Sequence, residues 1–175
     1  MENTKWEIDP THSEVHFEIK HLMIATLTGR FNEISGTAEA EENFENAKFS
    51  FSANVDSINT NDEKRDAHLK SADFFDAEKF PNITFISTKF KRTGDTVFEL
   101  IGKLTIKEIT KPTIINIKYG GTAKDPWGNI KAGFQLKGKI NRRDFGLLWN
   151  ATIEAGGVLV GEEVKIVANI ELFKK

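Results

Sequence analysis

The chain has 175 residues, 39% hydrophobic and 29% charged, which is enough for one domain (residues 1–175) with a sizeable core. Its formal net charge of -2, with acidic and basic residues interleaved along the chain, argues against a nucleic-acid partner or an anionic-membrane face. The chain has no cysteine, which excludes disulfides, thiolate metal ligands and cysteine nucleophiles.

Alternation of apolar and polar residues predicts most of the secondary structure, because a period of two is typical of half-buried antiparallel strands. The apolar faces of the five strong runs are Val15, Phe17 and Ile19; Ala47, Phe49, Phe51, Ala53 and Val55; Phe98, Leu100, Gly102, Leu104 and Ile106; Ala132, Phe134, Leu136, Gly138 and Ile140; and Val164, Ile166, Ala168, Ile170 and Leu172. Weaker runs cover residues 37–41, 83–90 and 113–119.

Glycine-rich and polar segments between these runs predict the turns. They are Gly29, Gly36, residues 93–95, Gly120-Gly121, residues 125–129 and Gly156-Gly157. About eight strands in series indicate an up-and-down sheet, which either stays open as a sandwich or closes as a barrel around an interior that can hold one small ligand.

The segment at about 60–80 interrupts the alternation and predicts a short helical insertion. Residues 60–63 have the pattern of a capping box, with Thr60 as the N-cap. Asp66 and Lys70 have the spacing of a favourable i,i+4 ion pair. A helix in this position lies over an open barrel end as a lid or completes the core as a plug, and both alternatives stay open.

The four histidines do not indicate a metal site. His12 and His16 share a strand face but lie about 13 Å apart in extended chain, which is too far for one metal ion unless the chain bends between them. His21 has the parity of the apolar face, which favours a hydrogen-bonded core histidine over a ligand contact. His68 lies on the predicted helix.

Catalytic signatures are equally lacking in the sequence. There is no G-x-S-x-G elbow, Walker loop or dinucleotide-binding glycine motif, and the carboxylates fall at solvated or turn positions. The sequence therefore predicts neither an enzyme nor a cofactor.

The first residues lack the basic and apolar pattern of a secretory signal, and no window approaches the roughly 18 apolar residues that a membrane helix needs. We expect a cytoplasmic protein without an integral membrane segment, or a periplasmic one if a leader was removed.

The central part of the chain has a specific motif, the string R-D-x-H-L…F-F-D…F-P-x-I-x-F, which begins at Arg65 and ends at Phe85. Further motif segments are residues 9–13, 15–17 with His21, 57–60, 87–88, 102–106, 110–112 and 141–146. Together these segments resemble the YceI-like family of polyisoprenoid-binding proteins. The resemblance runs from about Trp6 to the C-terminus.

The resemblance implies a mainly β fold, an extended eight-stranded antiparallel barrel of lipocalin type, often dimeric, whose interior holds a long isoprenoid or fatty-acid-like chain. We expect a homodimer and a wall formed by the inward-facing side chains of the strands and of the insertion. These ligand-binding candidates are Phe17, Ile19, His21, Phe49, Phe51, Phe74, Phe85, Leu100, Leu104, Phe134 and Leu136. The same side chains would form a solid core if they packed against each other.

Two Arg–Asp sets, Arg65 with Asp66 and Arg142 with Asp144, either bind a polar head group at the mouth or hold the helix to the barrel rim through paired contacts. Three functions follow: a carrier, reservoir or sequestering protein for a long apolar ligand; an accessory factor or enzyme acting on a bound isoprenoid quinone precursor; or an interaction module with a filled barrel.

Overall fold

Eleven strands and one α-helix make up the computed structural model, which describes residues 2–151 and 157–175. Gly156, half of one predicted turn, lies outside the described residues. The strands are β1 Thr4–Ile8, β2 Glu14–His21, β3 Ala25–Phe31, β4 Ile34–Ala40, β5 Lys48–Asn54, β6 Ile58–Asn59, β7 Asn82–Arg92, β8 Val97–Ile106, β9 Ile109–Lys124, β10 Ile130–Asn141 and β11 Val160–Lys174; the helix is α1 Glu63–Lys70. Short 3-10 turns cover Glu42–Phe44, Val55–Ser57 and Arg142–Phe145.

The sheet closes into an antiparallel barrel. Its neighbours in order are β1, β4, β5, β7, β8, β9, β10 and β11, and pairing of Trp6 with Lys174 joins the last strand to the first. The strands β2, β3 and β6 prolong β1, β4 and β5. Of these, β2 pairs with the upper half of β11, β3 pairs with β2, and β6 pairs with β3. The predicted eight-stranded barrel with a short helix is confirmed. At three of the eight strand positions, two consecutive strands together form the barrel wall.

The barrel has two distinct ends. The upper end carries the β2–β3 turn, α1 and the connection from β10 to β11, whereas the lower end carries the 3-10 turn at Glu42–Phe44 and the β9–β10 turn. None of the helices in the described part of the chain is long and apolar enough to cross a membrane.

Four glycines predicted to mark turns lie inside strands instead, two of them being Gly120 and Gly121 in β9. Gly29 is in β3 opposite Phe17, and Gly36 is in β4 opposite Phe51. A Cβ on Gly29 would lie 2.2 Å from the Phe17 ring, so glycine leaves room for a large neighbour there. The turn prediction was wrong because a strand glycine that admits a close approach has the same sequence signature as a turn glycine.

The predicted helix forms, but its N-cap differs from the prediction. The side chain of Asp62 accepts hydrogen bonds from the main-chain N–H groups of Lys64 and Arg65, so Asp62 is the N-cap and the helix begins at Glu63. Thr60 is buried and donates its hydroxyl hydrogen to Asp66 Oδ1 at 2.6 Å. Asp66 is therefore bound by Thr60 rather than paired along the helix.

Candidate ligand-binding cavity

An apolar cavity of about 540 Å³ occupies the upper part of the barrel. This volume lies within the range of roughly 300–1,000 Å³ that is typical of sites for small organic ligands. All the barrel strands except β4 and β6 contribute inward-facing aliphatic or aromatic side chains to its wall, together with Leu69 of α1 and Trp149 of the β10–β11 connection. The alternation that predicted half-buried strands therefore produces a hollow rather than a completely filled interior.

The cavity is long and narrow. Every second side chain of β11 from Val164 to Leu172 lines it. Eight residues of extended chain advance about 26 Å, and a strand tilt of about 40° reduces this to roughly 20 Å along the barrel axis. A site of this length suits a linear chain better than a compact ring system.

All eleven ligand-binding candidates line the cavity. Most are apolar side chains of the barrel strands, Phe74 comes from the turn after α1, and His21 lies at the upper end of β2. That they bind a ligand stays a prediction. His21 is exposed, so the expectation of a hydrogen-bonded core histidine was wrong, because β2 ends at this residue and leaves its side chain at the rim.

An aromatic cluster fills the barrel below the cavity. The ring centroids of Phe44 lie 5.0 Å from those of Trp6 and Phe134, and Phe134 stacks on Tyr119 at 5.2 Å. Phe49 joins this cluster and also lines the cavity. The predicted alternatives, solid core and hollow barrel, thus occur one above the other, and the floor of the cavity is the top of this cluster.

Exposed residues at the upper end form a rim through which the cavity reaches solvent. Among them are His21 of β2 and Lys64 of α1, which both line the cavity. The helix lies across this end with no fully buried residue, and Leu69 faces the cavity. This placement favours the lid over the plug.

Arg142 is the largest fully buried side chain and lines the cavity beneath the rim. Its Nε donates to Gly161 O at 2.7 Å, and its Nη1 donates to the carbonyl oxygens of Leu147 at 2.5 Å and Trp149 at 3.0 Å. These bonds fasten the β10–β11 connection to the start of β11. Burial lowers the pKa of the Arg142 guanidinium below its usual value, although arginine remains charged in proteins.

The predicted Arg–Asp pairs do not form among the described residues. Asp144 is exposed, and the neighbour of Arg142 in sequence, Arg143, makes the ion pair of this segment, with Glu162 at 3.7 Å. Main-chain carbonyl groups satisfy the buried guanidinium of Arg142 instead.

Arg65 and Asp66 both bind Thr60 instead of each other. Arg65 donates from Nε to Thr60 Oγ1 at 2.8 Å and from Nη2 to the Thr60 carbonyl oxygen. Asp66 accepts hydrogen bonds from the main-chain N–H and the hydroxyl of Thr60. The two residues therefore hold α1 to the end of β6, and Arg65 also lines the cavity.

A charged cluster lies away from the cavity, where β1 gives way to β2. Asp9 Oδ2 is 2.5 Å from Lys131 Nζ and 2.8 Å from His12 Nδ1, and Lys131 is 3.3 Å from Glu171. The Lys131 ammonium, with help from Thr11 and His12, holds the pKa of the Asp9 carboxyl well below its usual range. Asp9, His12 and Glu171 have a metal-ligand arrangement, but the Lys131 ammonium already supplies the positive charge between the two carboxylates.

The sequence-based candidates omitted part of the wall. The strand β3 contributes Leu27 and Phe31, and the apolar stripe of β11 contributes five side chains. Both stripes alternate in the sequence, but β3 was not recognised because Gly29 was interpreted as a turn. Trp149, which lies in a connection without periodicity, had no signal from which to be found.

Sequence comparison detects relatives over nearly the whole chain. A family model described as "YceI-like domain" matches residues 6–172. A UPF0312 protein of Pectobacterium atrosepticum is 37% identical over 168 residues, which is 95% of this chain and 84% of the relative. The "Protein YceI" of Salmonella newport is 38% identical over 161 residues, covering 91% of this chain and 81% of the relative.

Solved structures share the fold. The Burkholderia cenocepacia BcnA structure has a TM-score of 0.82 at 20% identity and covers 94% of this chain and 98% of its own. The Campylobacter jejuni YCEI protein has a TM-score of 0.76 at 31% identity, with 90% of each chain covered. A domain of Saccharophagus degradans described as polyisoprenoid binding has a TM-score of 0.66 at 13% identity, and covers 97% of this chain and 98% of its own.

Proposed function

The chain belongs to the YceI-like family, and on that premise we propose that it binds one long apolar chain, an isoprenoid or a fatty acyl chain, inside the barrel. The observation that carries the proposal is the apolar cavity of about 540 Å³ that runs roughly 20 Å from the rim to an aromatic floor. The protein acts as a carrier or reservoir, with α1 as the lid over the entrance. The Saccharophagus degradans domain, described as polyisoprenoid binding, shares the fold and supports this ligand class.

The wall can supply the affinity that a carrier needs. Burying one methylene contributes about 0.8 kcal/mol, so an isoprene unit contributes about 4 kcal/mol before the costs of association. Such binding depends on the length and girth of the ligand, since the strand side chains in the wall offer it few hydrogen-bonding groups. The continuous cavity also argues against an interaction module with a filled barrel.

Lipid recovery from the purified protein tests this proposal. The protein is analysed by native mass spectrometry, then extracted with organic solvent, and the extract is identified by mass. We expect about one long-chain molecule per protein chain. Reproducible absence of any such species, together with no uptake of added geranylgeraniol or palmitic acid, would refute the proposal.

A variant that blocks the cavity provides the matched comparison. Ala168 is buried on β11 and lines the cavity halfway along its length, so Ala168→Phe places a ring in the path of the ligand. Lys165→Phe places the same ring on the exposed face of the same strand. Lipid recovery should fall several-fold in Ala168→Phe alone, and equal recovery from both variants would contradict an internal site. Thermal unfolding of both variants verifies that the barrel remains folded.

Two further proposals concern the association state and the compartment of the protein. We propose a homodimer and a cytoplasmic location. Light scattering on the purified protein and fractionation of the source cells test the two points separately.

A further inference from the structure

We propose that the upper end of the barrel docks on the surface of a lipid bilayer, with the turn between β2 and β3 inserted among the lipids. This inference rests on the proposed function and deepens it, because it names the phase from which the apolar ligand enters the cavity. Two independent observations carry it: the turn exposes apolar side chains, and its backbone adopts a conformation that such residues rarely take.

The turn at residues 22–24 is apolar and exposed. Met23 is 56% exposed and Ile24 is 84% exposed, and Ala25, which follows them, is exposed as well. The stretch from residue 22 to residue 29 contains no charged residue. Three consecutive exposed apolar residues are unfavourable in water and are typical of a binding surface. The pattern therefore indicates contact with an apolar partner.

The backbone of this turn is unfavourable for the side chains it carries. The φ angle is 54° at Leu22 and 61° at Met23, and the main-chain N–H of Ile24 donates to the carbonyl oxygen of His21 at 3.2 Å. Hairpin turns with positive φ at both central residues favour Asn and Gly, because a bulky side chain crowds the backbone in that region. Leu and Met at these positions destabilise the turn, and such local strain is typical of functional sites.

The exposed turn continues the apolar wall of the cavity. The main-chain N–H of Leu22 donates to the carbonyl oxygen of Leu159 at 2.9 Å, and Leu159 and Val160 both line the cavity. The β10–β11 connection also carries Leu148, which is 52% exposed and directly follows Leu147 of the cavity wall. A chain that passes this end of the barrel therefore stays in contact with apolar side chains.

The chemistry of the ligand favours a bilayer over a protein as the partner of this surface. Each methylene group lowers the share of a chain that is dissolved in water about fourfold, so a molecule long enough to fill the cavity resides in lipid. A bilayer both covers the exposed side chains and holds the ligand, whereas a second protein covers the side chains only. The absence of charge from the turn favours insertion at the boundary between head groups and acyl chains over an electrostatic contact.

Co-flotation with phosphatidylcholine vesicles tests the proposal by measuring the partition coefficient of the protein. The double variant Met23→Gly/Ile24→Thr removes two exposed apolar side chains and places glycine at a position with positive φ. We expect the partition coefficient to fall at least about tenfold, since even partial burial of two such side chains contributes that factor. The melting temperature should not fall, because the variant relieves an unfavourable φ angle. Salt at about 1 M should change binding of the unmodified protein by less than about twofold, since an apolar contact is not screened.

Trp127→Ser provides the matched control at the opposite end of the barrel. Trp127 is 84% exposed, the same fraction as Ile24, but it lies in the β9–β10 turn at the lower end. Tryptophan is enriched where proteins meet the membrane surface, so this is a demanding control. We expect Trp127→Ser to change the partition coefficient by less than about twofold. A loss equal to that of the double variant would overturn docking through the upper end.

The outcomes separate this inference from the proposed function. Binding of geranylgeraniol without vesicles, measured by calorimetry below its aggregation concentration, should be equal in all variants, because Met23, Ile24 and Trp127 do not line the cavity. If the unmodified protein binds geranylgeraniol but no vesicles, or if high salt abolishes vesicle binding, the docking is refuted while the cavity site stands. If it binds no geranylgeraniol, the proposed function fails and this inference fails with it. If light scattering shows that the double variant loses a dimer that the unmodified protein forms, the turn binds a second copy instead of a bilayer.

Discussion

Affinity for unbranched prenyl alcohols should depend on chain length and reach a plateau at about four isoprene units. The β11 stripe gives the cavity a depth of roughly 20 Å, and an extended isoprene unit advances about 5 Å along four backbone carbons. The volume leads to the same number. At about 30 Å³ per heavy atom, the share of a liquid water molecule, 540 Å³ accommodates about 18 atoms, or between three and four units.

The gain per unit follows from the typical efficiency of ligands of this size. About 0.3 kcal/mol per heavy atom gives about 1.5 kcal/mol for each five-carbon unit, which is roughly a tenfold change in dissociation constant. The dissociation constant should therefore fall about tenfold per unit from two to four units and change little from four to six, because further units extend past the rim into water.

Calorimetric titration of the alcohol series gives these constants directly, and the variants provide internal controls. Ala168→Phe blocks the cavity halfway and should move the plateau to about two units, whereas Lys165→Phe should leave it unchanged. Equal affinity for two and four units would refute an internal site of this depth. A continued tenfold gain beyond six units would mean that the ligand passes the aromatic floor.

Three further predictions concern the scaffold. A Cβ on Gly102 would lie 2.6 Å from a main-chain oxygen, so Gly102→Ala should reduce the free energy of unfolding by about 1–3 kcal/mol. Gly133 has open space around it, so Gly133→Ala should change the free energy of unfolding by less than about 1 kcal/mol. Urea unfolding measures both variants. Arg142→Met leaves buried carbonyl groups without donors, so it should lower the free energy of unfolding by at least about 3 kcal/mol in the same assay. The control Arg143→Met, which removes an exposed ion pair, should lower it by less than about 1 kcal/mol. Equal losses in the two variants would contradict the structural role assigned to Arg142. Because the pKa of Asp9 is lower in the folded than in the unfolded chain, its ion pair stabilises the fold above the usual carboxyl pKa of 3.8, and this contribution is lost as the pH falls below that value. Asp9→Asn should therefore flatten the decline in unfolding free energy below about pH 4. A decline parallel to that of the unmodified protein would show that other carboxylates cause it.

Much of the barrel could be predicted from alternation alone. The stripes on β8, β10 and β11 have a strict period of two, and each was found with its inward face correct. The strand β3 was missed because Gly29 interrupts its apolar stripe, and that glycine is explained only by the Phe17 ring on the neighbouring strand. A local pattern carries no information about which residue of another strand will lie opposite.

The upper end of the barrel was harder to predict, because tertiary contacts decide which residue caps α1 and which groups Arg142 binds. Thr60 and Asp62 are both good N-cap residues, and Asp62 takes that role while Thr60 is bound by Arg65 and Asp66. Arg142 has an aspartate two residues away in the sequence, yet carbonyl groups of Leu147 in the β10–β11 connection and of Gly161 at the start of β11 satisfy it. Neither choice follows from spacing, since both depend on how α1 and the β10–β11 connection pack on the rim.

The volume that the side chains leave unfilled has an energetic consequence that favours a binding function over a packing defect. The apolar side chains that face the cavity of about 540 Å³ lack packing partners on one side, which lowers the stability of the empty barrel. The closed ladder of strands, the aromatic floor and the Arg142 bonds hold the wall apart despite this cost. A chain bound along the wall recovers part of that packing, so the same apolar side chains that destabilise a hollow barrel would stabilise a loaded one, and ligand binding should raise the melting temperature with ligand concentration.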